Sequence, residues 1–180
     1  MGLVVSYLLG SVPTAYILGR RTRGIDLRHH GSGNLGATNA FRVLGPYVGT
    51  LVLLIDIAKG TLAVLLADRV FGPQGPIATN LYLCLSAIMV VCGHNWTIFM
   101  KFKGGKGMAT SLGVLVAFSM IIENFFLVVL AIIVLWLAIF LSSGIVSLAS
   151  VIASALLPFI GISFHLPKTI LGFLTILSAF

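Results

Sequence analysis

The sequence predicts an all-α membrane protein, a polytopic bundle of about seven transmembrane helices with its N-terminus outside. Three observations predict it. Of 180 residues, 59% are hydrophobic and only 8% are charged, against about 25% charged in a typical soluble domain. The mean hydropathy is +1.15. The apolar residues also fall into runs near the roughly 20 residues that a helix needs to cross a bilayer.

The first run, 2–19, lacks the basic start of a signal peptide and is followed by further runs, so it is a retained span. The second, 47–67, carries Asp56 and Lys59 three residues apart, on one helical face. Charges inside a bilayer are costly, so this pair is either a structural salt bridge or a functional element. The third, 79–99, ends in His94, Asn95 and Trp96. Trp96 suits an interfacial anchor, and His94 is either a hydrogen-bonded structural residue or a general base. Cys84 and Cys92 in the same run are small core residues, with no CxxC pair or metal cluster around them. The fourth run, 108–122, is short. Only Glu123 and Asn124 separate it from the fifth, 125–141, so the 108–141 stretch admits another division. The sixth, 145–161, places Ser147 and Ser150 on one side, to bridge helices or line a site. The seventh, 167–180, has about 14 residues, too few to cross comfortably, which predicts a truncated C-terminal end. With no internal repeat, residues 1–180 form one domain.

Charge sets the orientation. The net charge is +7, with 11 Lys and Arg against four acids. Arg20, Arg21, Arg23, Arg28 and Arg42 follow the first span, and Lys101, Lys103 and Lys106 follow the third. The opposite side has Arg69 and Lys168 alone, and 142–144 is uncharged. Positive-inside bias places both basic loops in the cytoplasm. Confinement of the charge to short loops between apolar runs argues for anionic small ligands and against nucleic acid.

The first basic loop reads Gly31-Ser32-Gly33-Asn34-Leu35-Gly36-Ala37-Thr38-Asn39-Ala40-Phe41-Arg42. Its glycines let backbone approach a ligand, and Ser32, Asn34, Thr38 and Asn39 add neutral donors. A helix beginning near Ala37 would aim its first amides at an anion, and Arg42 could add bidentate charge to a phosphate. An ordinary polar loop with turn glycines is the competing reading. The second loop reads Lys101-Phe102-Lys103-Gly104-Gly105-Lys106-Gly107. Glycines between lysines gather N–H groups and point charges, a common way to hold phosphate. Lys101 and Lys103 also suit plain membrane anchors. The loop is not a Walker A motif, which wants Gly and Ser or Thr where Met100 and Gly107 stand.

Several chemistries are excluded. A His-x4-Asp acyltransferase pair needs an Asp where His29, His30, His94 and His165 are followed by Asn34, Leu35, Phe99 and Ile170. Asp26, Asp56, Asp68 and Glu123 are too scattered for a divalent-metal transferase. There is no Gly-x-Ser-x-Gly nucleophile elbow.

The string GSGNLGATNAFRVLG, the Asp56-x2-Lys59-Gly60 pair, GHN, KFKGGKG and VSLAS together resemble the bacterial acyl-phosphate:glycerol-3-phosphate acyltransferase family, over residues 8–154. The resemblance implies a seven-helix, multi-pass enzyme of the bacterial inner membrane with its active site on the cytoplasmic side. It would transfer a fatty acyl group from acyl phosphate to the sn-1 hydroxyl of glycerol 3-phosphate, giving lysophosphatidic acid and phosphate for phospholipid biosynthesis. By position, Ser32, Arg42 and Lys106 would be the catalytic residues binding the substrate phosphates, with Gly33, Asn34, Asn39 and Gly105 shaping the pocket. Ser147 and Ser150 match the family's serine motif, and His94 a family histidine near the site. Thr38, Lys103 and Gly104 complete the substrate-binding set. No metal or cofactor is implied, and the partners are the two substrates and membrane lipid, for a monomer. Two departures stand out. The family's basic C-terminal segment with an Asn and a Glu is absent, and Ser143 and Gly144 stand where some members have basic residues.

Both substrates are phosphates with a combined charge of about −3 to −4 near neutral pH. Without a clear protein base, a substrate phosphate oxygen is the expected proton acceptor. A small anion transporter with Asp56 and Lys59 along its pathway is the rival class, though the halves show no repeat. A non-catalytic scaffold leaves two phosphate-type loops unexplained.

Overall fold

The computed structural model describes residues 1–72 and 76–180 and has no strand among them. Among the described residues nine α-helices follow in chain order: α1 (Gly2–Ser11), α2 (Thr14–Arg23), α3 (Ala37–Leu44), α4 (Pro46–Leu66), α5 (Pro76–Asn95), α6 (Met108–Ile121), α7 (Phe125–Ser143), α8 (Val146–Ser163) and α9 (Lys168–Leu177). Five helical segments among the described residues are long and apolar enough to cross a membrane: Gly2–Arg23, Pro46–Val70, Thr79–Met100, Phe125–Ser143 and Val146–Ser163. The expected fourth and seventh spans are shorter apolar helices, Met108–Ile121 and Lys168–Leu177.

The first run departs most from expectation. It is two helices, broken at Val12 and Pro13, and the second continues past Gly19 to Arg23. Pro13 has no N–H to donate and pushes the preceding residue out of helical space; Val12 accordingly has ψ 114°. Arg20, Arg21 and Arg23 therefore belong to the last turn of α2 rather than to the loop, where positive charge suits the negative end of the helix dipole.

Helices α1 and α5 pack together, as do α4 and α6, and these pairs form the inner bundle. Both pairs approach by reciprocal glycines. A Cβ at Gly60 would lie 2.2 Å from the Thr110 carbonyl oxygen, and one at Gly113 would lie 2.0 Å from that of Ile57. Gly10 faces the Val90 carbonyl and Gly93 that of Tyr7 in the same way, at 2.0 and 2.1 Å. Small residues are how membrane helices gain close contact when lipid supplies no hydrophobic drive between them. Helix α7 packs on α6 and α8, and α9 closes on α8 and α5. The main core centres on Phe118, which meets Phe125 and Phe173 edge-on at 5.6 and 5.1 Å between ring centroids. Leu54, Leu62, Leu130, Leu137, Val151 and Phe159 point outward, exposed, as a lipid-facing surface requires.

A second, smaller core decides where the loops stand. Leu27 and Leu35 of the first loop pack with Ala15 of α2, Ala40 and Leu44 of α3, Val48 and Val52 of α4, and Met100. Met100 ends a short 3-10 turn immediately before the second loop. Apolar burial thus gathers both basic loops at one end of the bundle.

Candidate active site

The first loop is folded by one side chain. Asn39 is 2% exposed. Its Oδ1 accepts from the Ser32 N–H at 2.9 Å, and its Nδ2 donates to the carbonyls of His30 and Asn34 at 3.1 and 3.0 Å. The Asn34 side chain accepts from the Gly36 N–H at 2.9 Å, a local turn. Gly31 and Gly33 take φ of +61° and +72°, a region that disfavours side chains. A Cβ at Gly31 would stand 2.3 Å from Asn39 Oδ1. Asn39 thus shapes the loop and Asn34 its turn, while Ser32 and Thr38 remain exposed.

The loop leads into α3 as the sequence predicts, with Ala37 as its first residue and Gly36 preceding it. The first amides of a helix have no partner within it, so α3 presents donors beside Ser32 and Thr38. Arg42 is exposed in its last turn. Three other arginines nearby are engaged. Arg28 grips Asp26 through Nε at 3.0 Å and Nη2 at 2.7 Å, and stacks on Tyr16. Arg20 lies 4.0 Å from Asp26, and Arg23 donates to the Leu44 carbonyl at 3.3 Å. The hydrogen bond from Arg28 holds the Asp26 carboxyl down at a pKa of about 2. Among the described residues Arg42 and Lys106 form no ion pair.

The second loop is held by its backbone. Gly104 N–H donates to the Asn95 carbonyl at 3.0 Å and Gly105 N–H to the His94 carbonyl at 3.1 Å, so the loop satisfies the free end of α5. Glycine is required here: a Cβ at Gly104 would meet the His94 carbonyl oxygen at 1.9 Å, and one at Gly105 would meet His94 Nε2 at 2.0 Å. Gly107, at φ +75°, then starts α6. Lys101, Lys103 and Lys106 are exposed around this turn.

Beneath the two loops lies a buried polar cluster. Asp56 is 1% and Lys59 7% exposed, and they pair at 2.9 Å between Oδ1 and Nζ. Thr14 donates to the same carboxylate oxygen at 3.1 Å, and His94 Nδ1 stands 3.7 Å from it. Asp56 Oδ2 has no hydrogen-bond partner. Lys59 also donates to the Val12 carbonyl at 3.1 Å, and the Thr97 hydroxyl donates to that of Ser11. The proline break leaves carbonyls without helical partners, and these two side chains supply them. A cavity of about 10 Å³ is lined by Ser11, Thr14, Leu35, Lys59, His94 and Gly105, among others. That is room for about one water molecule, and it joins residues of both loops to the cluster.

The structure therefore brings together the two loops, His94 and the Asp56–Lys59 pair. The serines of α8 stand apart in their contacts: Ser150 accepts a hydrogen bond from Trp136 of α7 at 3.1 Å, and Ser147 is exposed. Ser154, one turn on, approaches the Met108 sulfur at the start of α6 at 3.8 Å. Thr14, Thr97 and the Val12–Pro13 break were missed by sequence reasoning. The signal was present as Ser11, Pro13 and Thr14 within an otherwise apolar run.

The family model described as glycerol-3-phosphate acyltransferase matches residues 1–180. The glycerol-3-phosphate acyltransferase 2 of Moorella thermoacetica is 44% identical over 167 residues, which is 93% of this chain and 79% of that protein. The Synechocystis glycerol-3-phosphate acyltransferase is 41% identical over 176 residues, 95% of this chain and 77% of that one. Crystal structures of PlsY, an integral membrane glycerol 3-phosphate acyltransferase, superpose well. Its glycerol 3-phosphate form gives a TM-score of 0.85 at 36% identity, covering 99% of this chain and 83% of that one. Its lysophosphatidic acid form gives 0.83 at 35% identity, with the same coverage.

Proposed function

This chain belongs to the glycerol-3-phosphate acyltransferase family, and on that premise we propose that it transfers a fatty acyl group from acyl phosphate to the sn-1 hydroxyl of glycerol 3-phosphate. It is a membrane glycerol-3-phosphate acyltransferase of phospholipid synthesis. The acyl phosphate donor, the hydroxyl acylated, the cytoplasmic face of the site and its place in the bacterial inner membrane belong to the proposal. So does the reading of residues 1–180 as one monomeric domain.

One observation carries the reading. Two glycine-rich loops stand at one end of the bundle, each leading into a helix start, and each brings an exposed cation without an ion pair: Arg42 in the last turn of α3, and Lys106 just before α6. Two phosphate-bearing substrates need two such holds. Arg42 and Lys106 position the substrate phosphates and offset charge that builds on the acyl carbonyl and the departing phosphate. Ser32, Thr38 and Lys103 supply further donors. The sn-1 oxygen attacks the acyl carbon, the bond from that carbon to the phosphate oxygen breaks, and inorganic phosphate leaves. The hydroxyl proton passes to a phosphate oxygen of the substrates, since His94 is buried under the second loop, 6% exposed. The acyl chain lies between helices, open to lipid.

The test is release of inorganic phosphate by purified protein given both substrates. Release that requires both and disappears in Lys106→Ala establishes the reaction. Lysophosphatidic acid formed from acyl-CoA, with release of the free CoA thiol, overturns the donor assignment.

A further inference from the structure

We propose that the buried Asp56–Lys59 pair is a positioning element for the phosphate site: it fixes the α1–α2 break and His94, and through them sets where the Gly104–Gly105–Lys106 turn stands. The inference rests on the reading of that turn as a substrate-phosphate site.

A purely structural role accounts poorly for the pair. Removing two charges from water costs more than their attraction commonly returns, and apolar residues of similar size often hold helices as well. Here the pair makes contacts that an apolar pair cannot. Asp56 Oδ1 takes hydrogen bonds from Lys59 and from Thr14, the first residue of α2. Lys59 reaches across to the Val12 carbonyl on the other side of the break, at 3.1 Å. Both ends of the interrupted helix are thus tied to one turn of α4. The His94 ring sits with Nδ1 3.7 Å from the same carboxylate oxygen, and its opposite edge is the surface that a Cβ at Gly105 would strike. The chain of contact runs from α4 through the imidazole to the glycine turn, and Lys106 is the next residue. Lys59, His94, Gly104 and Gly105 line one cavity of about 10 Å³ with Leu35 of the first loop, so little space is left to absorb a shift.

The experiment measures kcat and KM for both substrates with purified, folded protein in lipid nanodiscs. The variants are Asp56→Asn combined with Lys59→Met, which leaves no lone buried charge, Thr14→Val, and Gly105→Ala alone and with each. Lys106→Ala is the reference for the site itself. Positioning predicts that the Asp56→Asn/Lys59→Met protein raises KM for a phosphate substrate by about tenfold or more, with kcat within about threefold. It further predicts that adding the pair change to Gly105→Ala costs less than about twofold more, because both lesions move one turn. An unchanged KM in folded protein, or effects that multiply in full, overturns the proposal. If the double variant does not fold, Thr14→Val carries the same test: an about threefold to tenfold rise in KM is expected, and no rise overturns it. Full activity in Lys106→Ala would remove the reading of the site and this inference with it. An inactive Lys106→Ala with unmoved KM in the other variants removes the positioning role alone.

Discussion

In the first glycine-rich loop a single carboxamide, that of Asn39, makes three hydrogen bonds to backbone and holds the curve. In the second loop the glycines themselves do the holding, by donating N–H groups to the last carbonyls of α5 and lying flat against His94. The first loop carries its own brace, and the second borrows its shape from a neighbouring helix. Damage should therefore show differently: added carbon harms the second loop, and a lost amide harms the first.

The largest expected effect tests whether the two loops share one job despite their different supports. Lys106→Ala and Arg42→Ala should each lower kcat/KM by about 10²–10³, the loss typical of removing one stabilising group from a transition state. Both side chains are exposed, so melting of the protein should barely change. Loss in one variant with full activity in the other would break the symmetry between the loops. Next comes added bulk. Gly104→Ala sets a carbon against the backbone carbonyl of His94 and should cost about 1–3 kcal/mol in strain, read by thermal unfolding. Gly36→Ala sets one 2.9 Å from the end of the Asn34 side chain, which can rotate away, and should be mild by comparison. Asn39→Ala should cost a comparable about 1–3 kcal/mol and weaken binding, because the Ser32 N–H and two carbonyls lose their buried partner.

The smallest effect concerns acid. The folded Asp26 carboxyl sits near a pKa of about 2, below the about 3.9 of an unfolded chain. A depressed carboxyl stabilises above the unfolded value and loses that contribution as pH falls through the folded one. The Asp26–Arg28 brace should thus be unchanged between pH 7 and about pH 4 and fade towards pH 2. Asp26→Asn should reproduce the low-pH melting at neutral pH, with a smaller shift than Asn39→Ala. A larger shift would mean that the first loop depends on its salt bridge more than on its amide.

Much of this was legible in the sequence, for reasons that mark where legibility ends. Apolar runs register burial in lipid directly, so the 47–67 and 125–141 runs became α4 and α7 with bounds shifted by at most two residues. The helix after the first loop began at Ala37 as expected, since Gly36 supplies the stop and a polar, then apolar, pattern follows. Hydropathy carries the first span straight through Pro13 because it averages over a single residue, whereas a helix is interrupted by one missing N–H. The amide-rich string points to a donor-lined loop, but four polar side chains within eight residues, Ser32, Asn34, Thr38 and Asn39, do not reveal which one turns inward. The buried cluster was half visible. Asp56 and Lys59 are neighbours on one helix, and the spacing alone joins them. Their meeting with Thr14, His94 and Gly105 depends on the packing of four separate segments, and one sequence carries no record of that distance.

The reciprocal glycines of the inner helices have a mechanical consequence. Each of the two pairs is notched in both directions, so neither helix can slide along or roll against its partner without driving a carbonyl oxygen into an α-carbon. Bilayers differ in thickness, and spanning proteins adapt by tilting or by deforming the lipid around them. The outer hairpin of α7 and α8, which turns at Gly144 in the left-handed region, lacks such a reciprocal key. The second loop grows from two of the keyed helices, α5 and α6, so its lysines ride on an inelastic frame.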